Sequence, residues 1–206
     1  MLISRQSRQR QRHHGARCRQ AGATLIELAI GVTITGILLA AGIPAFGEWL
    51  QNTRVRTAAE LVQNGLQTAR TEAIKRNAAV RFTLTDSSGT TAWSIGCVTK
   101  TDNCPGTITT QGAGEGGGNA RVGILTSAEI SAAAALDAGA GLPAGVTFTG
   151  AGRVLPANVA AASDITRADI TYAGVATARR LMLTVSAGGQ IRMCDPARAA
   201  GDPQAC

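Results

Sequence analysis

Histidine is missing from everything after position 14: the two in the chain, His13 and His14, fall in a basic N-terminal stretch. The body therefore has no imidazole for a catalytic triad, a general base or a histidine-ligated zinc site. No GxSxG or HExxH string occurs, and the carboxylates are scattered singly, a solvated surface role suiting nearly all of them. Neither a catalytic residue nor a metal or cofactor site is expected. Aromatic residues are scarce as well, 3% against 45% hydrophobic residues overall, so the core must be built from small and aliphatic side chains. Acid is absent from the first 22 residues, which hold Arg5, Arg8, Arg10, Arg12, Arg17 and Arg19. Of the 20 Lys+Arg, 14 remain to face all 13 Asp+Glu, so the net charge of +7 belongs to the terminus. The net charge therefore gives no argument for a general nucleic-acid-binding surface on the body.

Beyond the arginines the chain turns long and apolar. From Ala23 to Ile43 the only charged residue is Glu27. As a helix rising about 1.5 Å per residue, that stretch spans roughly 31 Å, enough for a hydrocarbon core of about 30 Å. The arginines before it hold that end in the cytoplasm and send the body after Pro44 to the other side. A secretory signal peptide cut near Ala41-Gly42-Ile43, or a plain signal anchor, fits the same pattern. Neither accounts for Glu27, since a carboxylate in the bilayer costs about 2.5–3.5 kcal/mol and is usually paired or functional.

Past Pro44 the helical period resumes. Val55, Ala58, Val62, Leu66, Ala69 and Ala73 form one stripe, with Arg54, Arg56, Glu60, Gln67, Arg70 and Lys75 largely off it, and Asn77 is a natural stop. Alternation then predicts strands at Val80–Leu84, Trp93–Val98, Val146–Phe148, Ile170–Tyr172, Leu181–Val185 and Gln190–Met193, with a turn at Ala187-Gly188-Gly189. The fold class is α+β: one long N-terminal helix packed on a mostly antiparallel sheet. Residues 111–145 are Gly/Ala-rich and poor in structural signals. Their Gly112–Gly118 run satisfies GxGxxG without a surrounding strand–turn–helix and reads as a loop. Ser131–Ala140 reads as a short helix turn or a mobile segment.

Of five cysteines, Cys18 lies in the basic stretch. Cys97, Cys104, Cys194 and Cys206 allow three connectivities, or none if they are buried thiols. Export across a membrane favours disulfides, and nearest-neighbour loops would each contribute about 2.5–3 kcal/mol. Asp195, between Cys194 and Pro196, reads as a turn cap.

The string Gly22-Ala23-Thr24-Leu25-Ile26-Glu27-Leu28 resembles the class III signal of type IV pilins and type II secretion pseudopilins, with Ala23 where Phe is usual. The resemblance implies that a prepilin peptidase cuts between Gly22 and Ala23 and methylates the new terminus. It implies also that Glu27 pairs with the terminal amine of a neighbouring subunit, and that Pro44 sits where the family carries a helix-bending proline. A kink or local melting is expected there. The tail Ser186–Pro196 looks like the C-terminal signature of the GspH/FimT family, whose members are minor pseudopilins or minor pilins, some of which bind DNA for uptake. In that reading residues 1–22 are a cleaved leader, 23–44 the transmembrane and assembly helix, 45–77 its amphipathic continuation, and 78–206 a β-rich periplasmic domain. The protein is then a structural subunit of the bacterial inner membrane. Its implied partners are other pilins, the peptidase, the inner-membrane assembly platform and the lipid bilayer. The FimT-type DNA motif Gly-Arg-x-Arg falls on Gly189, Gln190, Ile191 and Arg192. Its first arginine is replaced by Gln190, leaving Arg192 with Arg179, Arg180 and Arg198 as possible neighbours. The polypeptide isolated from its host is expected to begin at Ala23 by intact-mass measurement; any other start removes the class III reading.

Overall fold

The computed structural model describes residues 22, 24–115, 117–125, 134–155, 165–175 and 178–206. Residues 1–21 of the basic leader, Ala23, Gly116 and residues 131–133 lie outside that set. Two compact units are present, divided between Ile43 and Pro44.

A single helix, α1 (Leu25–Arg76), accounts for 52 residues. It is helical across position 44, so the local melting expected at Pro44 does not occur. Its start is set by Thr24, whose Oγ1 accepts the Glu27 N–H at 3.3 Å. Its end is set by Asn77, which takes a φ of 48°. The Asn77 N–H then reaches Ile74 O at 3.2 Å and the Ala78 N–H reaches Ala73 O at 3.1 Å. These two bonds close the last turn as a Schellman motif, with asparagine standing where glycine is commonest. Arg76 Nε donates to Glu72 Oε2 at 2.7 Å, and its Nη1 donates to Asn103 O. The Arg76 hydrogen bond holds the Glu72 carboxyl below its usual range. This tie is therefore present above the ordinary carboxylate pKa and fades as pH falls through the lowered one.

The strands form two four-stranded antiparallel sheets where one was expected. The first has the order β3-β2-β1-β5, built from β1 (Val80–Leu84), β2 (Trp93–Cys97), β3 (Thr109–Gln111) and β5 (Ala144–Phe148). The second has the order β4-β6-β7-β8, built from β4 (Ala120–Leu125), β6 (Arg167–Tyr172), β7 (Leu181–Val185) and β8 (Ile191–Cys194). The predicted pairing of the first two strands holds, in the register Val80↔Cys97 to Leu84↔Trp93. The same strand meets β5 from Val80↔Phe148 to Leu84↔Ala144. Val80, Phe82 and Leu84 thus share a buried face with Cys97, Ile95 and Trp93 and with Phe148, Val146 and Ala144.

Every residue of the predicted stripe, Val55, Ala58, Val62, Leu66, Ala69 and Ala73, is fully buried, as is Ala59. They join one core with the inner residues of both sheets, among them Val122, Ala168, Ile170, Leu183 and Val185. Residues 111–145 are not the unstructured stretch the composition suggested, because β4 runs through their middle. Its outer edge is covered as well: Val122 N–H bonds Gly89 O at 2.7 Å, and Ile124 N–H bonds Ala140 O at 2.8 Å. Residues 134–140 form bend, turn and irregular backbone, so of the two readings of Ser131–Ala140 the helix turn is absent from its described part.

Gly65 sits under the Phe82–Trp93 ring pair, whose centroids are 5.8 Å apart. A Cβ there would lie 2.7 Å from Phe82 and 2.9 Å from Trp93. In a free helix Gly→Ala gains about 0.5–1 kcal/mol, but overpacking two fixed aromatic rings costs about 1–3 kcal/mol. Gly65→Ala is therefore expected to lower stability by about 1–2 kcal/mol in urea unfolding, the reverse of the helix-propensity sign.

Candidate functional site

Two regions carry the residues singled out from the sequence. The first is the start of α1. Thr24 precedes it and caps it by accepting the N–H of Glu27, which occupies the third helical position. A carboxylate in the first turn also lies at the positive end of the helix dipole. Gly22 is exposed and Ala23 lies outside the described residues, so nothing in the geometry bears on the cut between them.

Past Glu27 the aliphatic side chains of the first unit stand open. Leu25, Ile26, Leu28, Ile30, Val32, Ile34, Ile37, Leu38, Leu39 and Ile43 are all exposed by half or more. The two hydroxyls in this run turn inward on their own backbone: Thr33 Oγ1 donates to Ala29 O, and Thr35 Oγ1 to Gly31 O, both at 2.8 Å. A helix that satisfies its polar groups internally and presents aliphatic side chains suits a medium without water. By length and composition α1 contains one segment able to cross a membrane.

The second region is the C-terminal strand and its tail. Both nearest-neighbour disulfides are present, Cys97–Cys104 with a Cα–Cα distance of 5.7 Å and Cys194–Cys206 with 5.1 Å. The predicted turn between β7 and β8 forms, closed by Ser186 N–H to Gln190 O at 3.0 Å. Gly189 takes a φ of +79°, and a Cβ on it would lie 2.0 Å from Gly152 O. The glycine of the Gly-Arg-x-Arg comparison is thus required by the turn and its close neighbour alone.

The arginines near that turn are largely engaged. Arg179 Nε and Nη2 meet Asp195 Oδ2 at 2.7 and 2.6 Å. Arg198 lies 3.7 Å from the same oxygen and 3.1 Å from Asp202. Arg180 donates to Asp169 at 3.1 Å. Arg192 is exposed on β8 and donates to Ala205 O at 3.1 Å, and Gln190 is exposed at the strand's start. Arg179 and Arg198 thus share one Asp195 oxygen, Arg192 bonds the tail residue bridged to Asp195, and Arg180 is on Asp169.

Two carboxylates, Asp169 and Asp195, are buried exceptions to the solvated positions read for nearly all of them. Asp169 is fully buried and receives both Arg167 Nε at 2.7 Å and Arg167 Nη2 at 2.6 Å. It also accepts the Leu136 N–H at 3.1 Å, while Arg167 reaches Ala134 O at 2.6 Å. The pair pins residues 134–136 over the outer face of β6. Asp195 is likewise buried; it caps its own turn as predicted, accepting the Ala197 N–H at 2.9 Å, and adds the Arg179 pair. Arg179 N–H in turn donates to Asn52 Oδ1 at 3.1 Å, joining this corner to α1.

The family described as Type II transport protein GspH matches residues 58–189. A second description, Prokaryotic N-terminal methylation motif, matches residues 17–43. Among solved structures, the type IV minor pilin FimU of Pseudomonas aeruginosa is 20% identical with a TM-score of 0.45, covering 71% of this chain and 97% of that one. The minor pseudopilin EpsH from the Type 2 Secretion System of Vibrio cholerae is 13% identical with a TM-score of 0.44, covering 71% of this chain and 99% of that one. No curated protein matches.

Replacing Asp195 with Asn is expected to lower stability by about 1.5–3 kcal/mol, the range for hydrogen bonds to a charged group, discounted from a fully buried pair because Arg179 is partly exposed. Urea midpoints of the disulfide-intact protein check this; an unchanged midpoint would mean that the corner is held by the cross-link alone.

Proposed function

The chain belongs to the GspH family of type II transport proteins, and from that premise we propose that it is a minor pilin-type subunit that helps initiate or cap a membrane-rooted filament. The observation that carries the proposal is a helix whose first unit exposes a long run of aliphatic side chains and bears one carboxylate in its first turn. Before assembly the bilayer covers that surface. In the filament, the same surface of neighbouring subunits covers it.

In this reading a prepilin peptidase removes residues 1–22 at the cytoplasmic face and methylates Ala23. The new ammonium is the cation that Glu27 lacks: pairing it with the carboxylate of an adjacent subunit offsets the cost of holding both in an apolar medium. Such a pair also fixes axial register, since one residue of slippage separates the charges by about 1.5 Å of rise. The body lies in the periplasm, where both disulfides persist. The role is structural, and the assembly platform and other pilins are its partners. The methylation motif at residues 17–43 and the apolar helix support this placement.

Glu27→Ala separates assembly from insertion. It is expected to leave the protein in the membrane fraction and to reduce its co-purification with the other filament subunits by about tenfold or more, the equivalent of about 1.4 kcal/mol. Undiminished co-assembly would overturn the proposed pairing.

A further inference from the structure

The chain holds three Phe, two Trp and one Tyr. Phe82, Trp93 and Phe148 lie in the core, and Tyr172 packs against it and accepts a hydrogen bond from Arg54 at 3.0 Å. The remaining two, Phe46 and Trp49, are 62% and 60% exposed. They stand one turn apart on α1 with ring centroids 5.7 Å apart. In a protein this poor in aromatics, two large rings left mostly open, in contact with each other, call for an explanation.

Their position along the chain supplies one. Between Glu27 and Glu48 no residue is charged. The uncharged run from Leu28 to Gly47, at about 1.5 Å per residue, measures about 30 Å, the thickness of a hydrocarbon core. Phe46 and Trp49 straddle the far end of that run, beside Glu48. They also lie away from the body: Val55, in the buried stripe, follows Phe46 by nine positions, which at about 100° per residue is half a turn round the axis. The body therefore does not stand between the rings and the membrane surface. An indole combines a large apolar ring with one N–H donor, which suits the boundary between acyl chains and headgroups.

We propose that Phe46 and Trp49 form an interfacial clamp that seats the unassembled subunit in the body-side leaflet, at the level of the phospholipid glycerol and carbonyl groups. The clamp rests on the membrane reading above and adds a depth to it. It fixes the depth of this stretch of the helix in the leaflet before a filament takes the subunit up.

The test uses the full chain in phosphatidylethanolamine/phosphatidylglycerol vesicles. Trp93→Phe makes Trp49 the sole indole; Trp93 Nε1 has no hydrogen-bond partner, so the exchange removes ring bulk and no bond. Because Trp93 is a core residue, the difference between the parent and Trp49→Phe serves as an independent readout of the same indole. Nitroxide lipids labelled near the headgroup are expected to quench Trp49 about threefold more than lipids labelled at the bilayer centre. Failure of the protein to float with vesicles overturns the membrane reading itself. Flotation with Trp49 open to aqueous iodide overturns the clamp alone, because the rings then face water. Flotation with Trp49 shielded from both iodide and shallow nitroxide also overturns it, assigning the pair to contact with a second copy of the chain.

Discussion

One helix has to be compatible with two surroundings, and the rest of the molecule depends on how it divides. From Val55 to Ala73 its inward stripe is sealed against both sheets. From Leu25 to Ile43 its large aliphatic side chains stand exposed. Burying a Leu, Ile or Val side chain is worth about 1.5–3 kcal/mol, so the exposed half represents a large driving force that the monomer leaves unsatisfied. That force is what a bilayer or a bundle of like helices supplies. Glu27 is the opposing element: it lets the helix start cleanly, yet it forbids indifferent burial of the first turn.

The inward half works with little bulk. Alanines at positions 58, 59, 69 and 73, together with Gly65, let two sheets come close to α1. Two of the three core rings, Phe82 and Trp93, are placed directly over Gly65. A core short of aromatics thus reaches close packing by bringing backbones together. The outer faces are finished differently. The buried Arg167–Asp169 pair draws an irregular segment across β6, and Asp195 ties the last strand to Arg179 and, through it, to Asn52 on α1.

Much of this was legible beforehand because it is local. The stripe obeys the helical period, the strands at Val80–Leu84 and Trp93–Cys97 alternate, and Leu181–Val185 is a short apolar run beside a glycine turn; Asn77 ends the helix as its residue type suggests. What escaped was set by partners remote in sequence. The strand β4 is buried on consecutive residues, Val122, Gly123 and Ile124, so it shows no alternation, and it sits among glycines. The short β3, Thr-Thr-Gln, carries no apolar side chain to mark it. Asp169 looked like one more surface acid because its burial depends on a cover from residues 134–136, more than thirty positions away. The second sheet itself was hidden for the same reason: alternation identifies strands but not which of them share hydrogen bonds.

Beyond β8, the tail returns beside that strand. Asp195 N–H bonds Gln204 O at 2.8 Å, and Asp195 pairs with Ala205 in a parallel bridge, the return being held by Cys194–Cys206. At this end of the sheet, backbone groups that would otherwise offer a template to a stranger are occupied by the chain's own tail. For a subunit that packs beside other pilins as proposed, a strand rim closed in this way is an advantage. Contact between bodies is then left to side chains, and the risk of intermolecular sheet growth, the usual hazard of packing β-rich domains densely, is reduced where the rim is closed.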